Sequence, residues 1–182
     1  MSEFLHVVDE NDNLLGFEKR EVVHNSKLWH RGIHIFIENR KGEILLQLRS
    51  KSKDKFPSKL DCSVSEHVKK EEDYEICAKR ALKEELGIET KLEEIAYFRM
   101  KYGENDFMVC KLYKGKYDGM FTIDKEEVEE ILFFSKEDLK KMLKEKSEFF
   151  APWTRELLKF FLGMESKITL LSKNSKFPHA NK

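Results

Sequence analysis

The chain lacks the features that mark secreted, membrane or fibrous proteins. Its three cysteines, Cys62, Cys77 and Cys110, are too scattered for a disulfide framework or a CxxC metal site. No apolar run approaches the ~20 residues that cross a bilayer. The opening MSEFLHVVDENDN has neither the basic nor the apolar segment of a secretory leader. A reduced, cytoplasmic protein is the expectation. Proline (3) and glycine (8) are scarce, and no linker, repeat or low-complexity tract divides the chain. Net charge is also absent: 34 Lys and Arg oppose 34 Asp and Glu, so no overall field recruits nucleic acid or an anionic membrane. No aromatic-interleaved basic stripe marks a nucleic-acid groove. An anionic ligand must therefore be held by a local basic cluster.

What is present suffices for one core. The 182 residues are 40% apolar and include 14 Phe, which predicts a single domain over residues 1–172 and a loose polar tail over 173–182. EFLHVVD and LLGFEK flank a DENDN turn, and GIHIFIEN and EILLQLR flank Arg40-Lys41-Gly42, so both pairs read as hairpins. Residues 60–68 alternate as one half-buried strand, 92–101 and 106–114 flank Gly103-Glu104-Asn105, and EEILFF adds a further strand. Helices are expected from about Asp73 to Leu86, over SKEDLKKMLKEK behind the Ser135 cap, and from Trp153 to about Leu162. This order predicts an α/β fold with a mixed sheet covered by helices.

The helix ending KRALKEELGI raises a question of charge. Glu84 and Glu85 stand in its last turn, where the macrodipole favours cations. A hard divalent cation beside them would account for the placement, because Mg²⁺ takes carboxylates, water and substrate phosphates. Two solvated surface charges are the plainer alternative.

The spacing around the helix favours the cation. Glu72, seven intervening residues, then Arg80, Leu82, Glu84, Glu85, Gly87 and Ile88 resemble the signature box of the Nudix superfamily, G-x5-E-x7-R-E-U-x-E-E-x-G-U with U aliphatic. The segment from Trp29 to His67, the opening VVDENDNLLG and Ala151-Pro152-Trp153 resemble the branch related to type 1 isopentenyl-diphosphate isomerase. The likeness spans roughly residues 4–160. It implies a Nudix α/β/α sandwich and attack of water on a small-molecule diphosphate with Mg²⁺ or Mn²⁺. Glu84 and Glu85 are then catalytic metal ligands, and Glu72 pairs with Arg80 and reaches toward metal. Glu127 is a candidate base. By the same resemblance His24, His30 and His67 fall at metal-ligating positions, with Glu104 and Asp106 near late acidic ligands. Arg20, Arg49 and Lys53 fall near diphosphate-gripping positions, and Trp153 at an aromatic that lines the substrate.

The departures from the family pattern are specific. Glu66 and Glu71 replace glycines, and Ala81 replaces the first glutamate of the REUxEE core of typical hydrolases, a glutamate that the isomerases also lack. Ser65 stands where the isomerase carries its catalytic cysteine. Cys62, three residues earlier on the expected strand, should face the other side. The expectation is a metal-dependent hydrolase of a nucleoside diphosphate derivative or a prenyl diphosphate. A catalytically impaired diphosphate-binding domain and an isomerase are the alternatives.

Overall fold

The computed structural model describes residues 3–102 and 106–171. Phe4–Val8 (β1) and Leu14–Lys19 (β2) pair antiparallel. Their turn is held by Asp9, whose carboxylate accepts from the backbone N–H groups of Asn11 and Asn13 and from the Asn13 amide. A six-residue helix, Arg20–Asn25 (α1), follows. Trp29–Glu38 (β3) and Ile44–Arg49 (β4) form the second expected hairpin, closed by Gly42 at φ 79°. Leu60–Asp61 (β5) and Val64–His67 (β6) precede the long helix Tyr74–Leu86 (α2). Leu92–Tyr102 (β7), Asp106–Lys116 (β8) and Val128–Phe134 (β9) complete the main strands. Lys136–Glu145 (α3), Pro152–Phe161 (α4) and a short Thr169–Leu170 (β10) end the described chain.

Strand β3 organises the sheet. One of its edges runs parallel to β8 from Trp29–Phe107 to Glu38–Lys116. Its other edge changes partner along its length: β1 at His30, β6 from Gly32 to Ile35, and β4 at Ile37 and Glu38. The main path is β10-β7-β8-β3-β1-β2, with β9 and β5 reached through β4. The sheet is therefore mixed.

The side-chain alternation of β3 separates two apolar layers. Ile33, Ile35 and Ile37 pack with Val64, Ala78, Ala81, Leu82 and Leu86 under α2. Phe36 packs on the opposite face with Leu139 and Leu143 of α3 and Leu157, Leu158 and Phe161 of α4. Each fully buried Ile or Phe contributes about 1.5–3 kcal/mol by leaving water. Helices on both faces of a mixed sheet are the α/β/α sandwich expected from the sequence.

Local chemistry sets the helix ends. Asp73 caps α2 through the Ile76 N–H, and Ser135 caps α3 through the Asp138 N–H. Pro152 opens α4, where its missing N–H costs nothing.

The single strand expected over 60–68 is interrupted. At Ser63 the hydroxyl accepts the Ile37 N–H at 2.7 Å and donates to the Leu45 carbonyl at 2.5 Å. The side chain thereby replaces ladder bonds where β3 passes from β6 to β4. Alternation does not carry across this break, so the argument that Cys62 faces away from Ser65 fails. Cys62 is fully buried, with its sulfur 3.5 Å from the Thr154 hydroxyl. The expected turn at Gly103-Glu104-Asn105 and the tail over 173–182 lie outside the described residues.

Gly87 ends α2 in the left-handed region at φ 65°, and a Cβ there would stand 2.8 Å from the Thr122 Cβ. Gly87→Ala is expected to cost at least about 1–2 kcal/mol from the left-handed backbone alone, read as a lowered urea midpoint. An unchanged midpoint would contradict this account of the cap.

Candidate active site

A cavity of about 400 Å³ opens where the N-terminal end of β3, strands β6 and β8, and the C-terminal ends of α2 and β7 meet. Arg20, His24, Arg49, Lys53, His67, Glu84, Glu85, Glu127 and Trp153 all line it. The sequence placed these residues on separate elements, and the fold brings them to one cavity.

Three histidines form the first cluster. His24 comes from α1, His30 from β3 and His67 from the end of β6. One ring nitrogen from each lies within 4.8 Å of the others. His30 Nδ1 is 3.0 Å from the Leu28 carbonyl, to which it donates, and this leaves Nε2 bare. That Nε2 is buried and has no hydrogen-bond partner among the described residues. Burial, chiefly, pushes His30 down to about 4. His67 is also lowered strongly, by burial and then by His30. Both rings are therefore neutral near pH 7, the form that binds metal. The Asp106 carboxylate approaches His24 Nδ1 at 2.5 Å. Neutral imidazoles converging beside a carboxylate, one with a bare buried nitrogen, fit a divalent cation.

The second cluster lies at the end of α2. Glu85 is buried, and its carboxylate accepts from Gln47 Nε2 at 3.1 Å. Burial raises its pKa well above the ordinary value, and the charge of Glu66 adds to the effect. Glu84 is more exposed and accepts from Arg80 at 2.8 Å. Arg80 also holds both oxygens of Glu72, at 2.5 and 3.0 Å. Glu72 accepts in addition the Lys69 N–H, and it does not line the cavity. Its carboxylate fixes the loop before α2 against the helix, the pairing expected from the sequence.

The cations are already partly engaged. Lys53 is paired with Glu127. Arg49 donates to Asp61 and to the carbonyls of Lys55 and Phe56. Its guanidinium sits 5.4 Å from the Trp153 ring centre, where cation and aromatic attract. Lys55, which the sequence did not single out, stands 3.5 Å from Asp106.

The floor of the cavity is a hydrogen-bonded chain that sequence reasoning missed. Asp61 is fully buried and accepts through one oxygen from the Cys62 N–H, Ser65, Trp153 and Thr154, at 2.6–2.9 Å. Arg49 takes the other oxygen at 2.7 Å. Because the Ser65 hydroxyl donates to this carboxylate, it can only accept from His34 Nδ1, 3.0 Å away. His34 Nε2 then accepts the Tyr102 hydroxyl at 3.2 Å. Burial pushes His34 down to about 4, so it stays neutral in this chain of bonds. A histidine among alternating isoleucines gave no signal beyond that of a core position.

Comparison with known proteins agrees with the geometry. The NUDIX domain family model matches residues 28–157. An uncharacterised Nudix hydrolase of Yersinia pestis is 30% identical over 142 residues, covering 75% of each chain. A prenyl-diphosphate phosphatase of Methanosarcina mazei is 30% identical over 158 residues, covering 85% of this chain and 92% of that one. An isopentenyl-diphosphate isomerase of Photorhabdus laumondii is 28% identical over 82% of this chain and 89% of its own. The fold is shared with a solved Deinococcus radiodurans protein at a TM-score of 0.72, 23% identity, and coverage of 87% and 98%.

Asp61 provides a stability test. Burial alone would raise its carboxyl, but Arg49, Thr154 and Trp153 hold it below the ordinary value of 3.8. Its contribution is complete above that value and is lost as the pH falls toward the lowered one. Asp61→Asn leaves Arg49 without its counter-charge and should cost about 3–5 kcal/mol near neutrality. The gap between variant and parent should narrow on acidification, as read by denaturant midpoints. A gap that is absent, or constant with pH, would contradict this reading. With its sequence box, its fold and its relatives in agreement, the chain belongs to the Nudix superfamily, in a branch resembling type 1 isopentenyl-diphosphate isomerase.

Proposed function

We propose that this protein is a metal-dependent hydrolase of a small diphosphate compound, with a prenyl diphosphate as the first substrate to consider and a nucleoside diphosphate derivative as the second. Residues 1–172 act in this reading as a single domain. The observation that supports it is the convergence, on one cavity, of box carboxylates, a rim of cations, and His24 and His67, with His30 buried beside them.

Each residue has a distinct task in this proposal. His24, His30 and His67, with Asp106, would hold one divalent cation, for which imidazoles favour Mn²⁺ over Mg²⁺, and Glu84 and Glu85 would hold a second, Mg²⁺ or Mn²⁺. Such cations draw charge from phosphate oxygens when bound. Arg20 and Lys53 hold the diphosphate, Lys as a point charge and Arg as a fork. Arg49 is largely committed to Asp61 and the loop carbonyls, so its task is to position Trp153 and the cavity wall. Trp153 and Tyr102 offer the organic group an apolar surface. Glu127 orients the attacking water and accepts its proton, with Lys53 alongside. The phosphatase from Methanosarcina mazei favours the prenyl substrate.

Isomerisation fits less well. It needs an acidic thiol where Ser65 stands, and the Ser65 proton is already given to Asp61. Cys62 does not replace it, because burial and the nearby Asp61 charge push its thiol well above the ordinary range. The binding-domain reading rests on Ala81, which is fully buried under β6 and brings no carboxylate.

The test is phosphate and pyrophosphate release from a panel of prenyl and nucleoside diphosphate compounds with Mg²⁺ or Mn²⁺. Turnover should depend on metal and fall on the order of 100-fold or more in Glu85→Gln. Binding of the compounds without turnover of any would replace the hydrolase with the binding domain.

A further inference from the structure

Two departures from the signature box lie on neighbouring elements, α2 and β6. Ala81 on α2 lacks the carboxylate usual at its position, and Glu66 on β6 carries one where the box has glycine. On β6, Val64 packs into the same apolar cluster as Ala81. Glu66 follows two residues later and so leaves the strand on that same α2 side. Its carboxylate lies 3.5 Å from Arg80 Nη1, the nitrogen that also holds Glu84 at 2.8 Å. Glu66, Glu84 and Glu85 line one cavity.

We propose that Glu66 supplies, from the strand, the metal-binding carboxylate that position 81 has lost on the helix. The inference rests on the metal-dependent reading above. Ala81 is fully buried, and Arg80, the residue before it on α2, is the one that Glu66 reaches from β6. The two substitutions are thus a single exchange across the helix–strand interface.

Charge balance supports this. Glu66 is otherwise bonded through the His67 N–H, at 2.7 Å, and shares Arg80 with Glu72 and Glu84. Glu85 has an amide donor, Gln47, in place of a cation. Arg80 is shared among three carboxylates and Glu85 has no cation of its own, so this space is neutralised either by protons or by an added cation. An independent feature points to the same ligand. Gln47 gives its N–H to Glu85, and its own carbonyl Oε1 is buried with no partner among the described residues. An oxygen acceptor left open beside a carboxylate is what a hard cation or its water ligand satisfies.

Mn²⁺ binding by calorimetry, checked by electron paramagnetic resonance, tests the proposal without relying on turnover. Glu66→Gln keeps the side-chain shape and should weaken binding about 10-fold or more at one of the sites. The double variant Glu66→Gly/Ala81→Glu should bind more tightly than Glu66→Gly alone, because it returns the carboxylate to the helix. Thermal melts without metal identify any variant that has not folded, and Glu66→Gln then decides. If Glu66→Gln binds as the parent does while Glu85→Gln is weakened, Glu66 is no ligand and the proposal fails alone. If Glu85→Gln also binds as the parent does, the carboxylate metal site itself fails with it.

Discussion

One buried carboxylate ties the cavity to the rest of the molecule. Asp61 sits where β4, β5, β6 and α4 meet, and its two oxygens take donors from Arg49, Cys62, Ser65, Trp153 and Thr154. Burying a charge this deeply is tolerable only when its hydrogen bonds are satisfied and a counter-ion is present. Both conditions are met here, and meeting them fixes several cavity-lining side chains at once. Arg49 is turned toward the loop at 55–56, Trp153 is held by its indole N–H, and Ser65 is oriented with its proton inward. The cavity wall therefore follows from one electrostatic requirement.

Seen from this hub, the differences from the family pattern concern chemistry and leave packing intact. Ser65 keeps the bonds of the floor while withholding an acidic thiol. Ala81 keeps the helix and its apolar contact with the sheet while withholding a carboxylate. Glu66 adds a charge on the facing strand. The histidine cluster is untouched by these changes.

Much of the architecture was legible before the structure. Ser135 announced the start of α3 through its cap, and the helix expected from about Asp73 to Leu86 agrees with α2 to within a residue. The hairpins followed from alternation broken by Gly42 and the DENDN turn. Helix α1 was missed because it is only six residues long and has no side-chain cap at Lys19. The break at Ser63 was missed because a hydroxyl replacing a strand partner leaves no mark in alternation. Most residues around the candidate site were named through resemblance, since the histidines and box acids keep family spacing. His34, Tyr102, Asp61 and Lys55 were not, because each sits in a local pattern indistinguishable from an ordinary strand or loop residue.

The central claim is that histidine and carboxylate clusters from different elements form adjoining metal sites in one cavity. Anomalous diffraction from crystals grown with Mn²⁺ measures this directly. The account predicts a peak within about 2.0–2.3 Å of ring nitrogens of His24, His30 and His67, and a second beside Glu85 on addition of a diphosphate compound. Ordered density for the three histidines with no peak among them would contradict it.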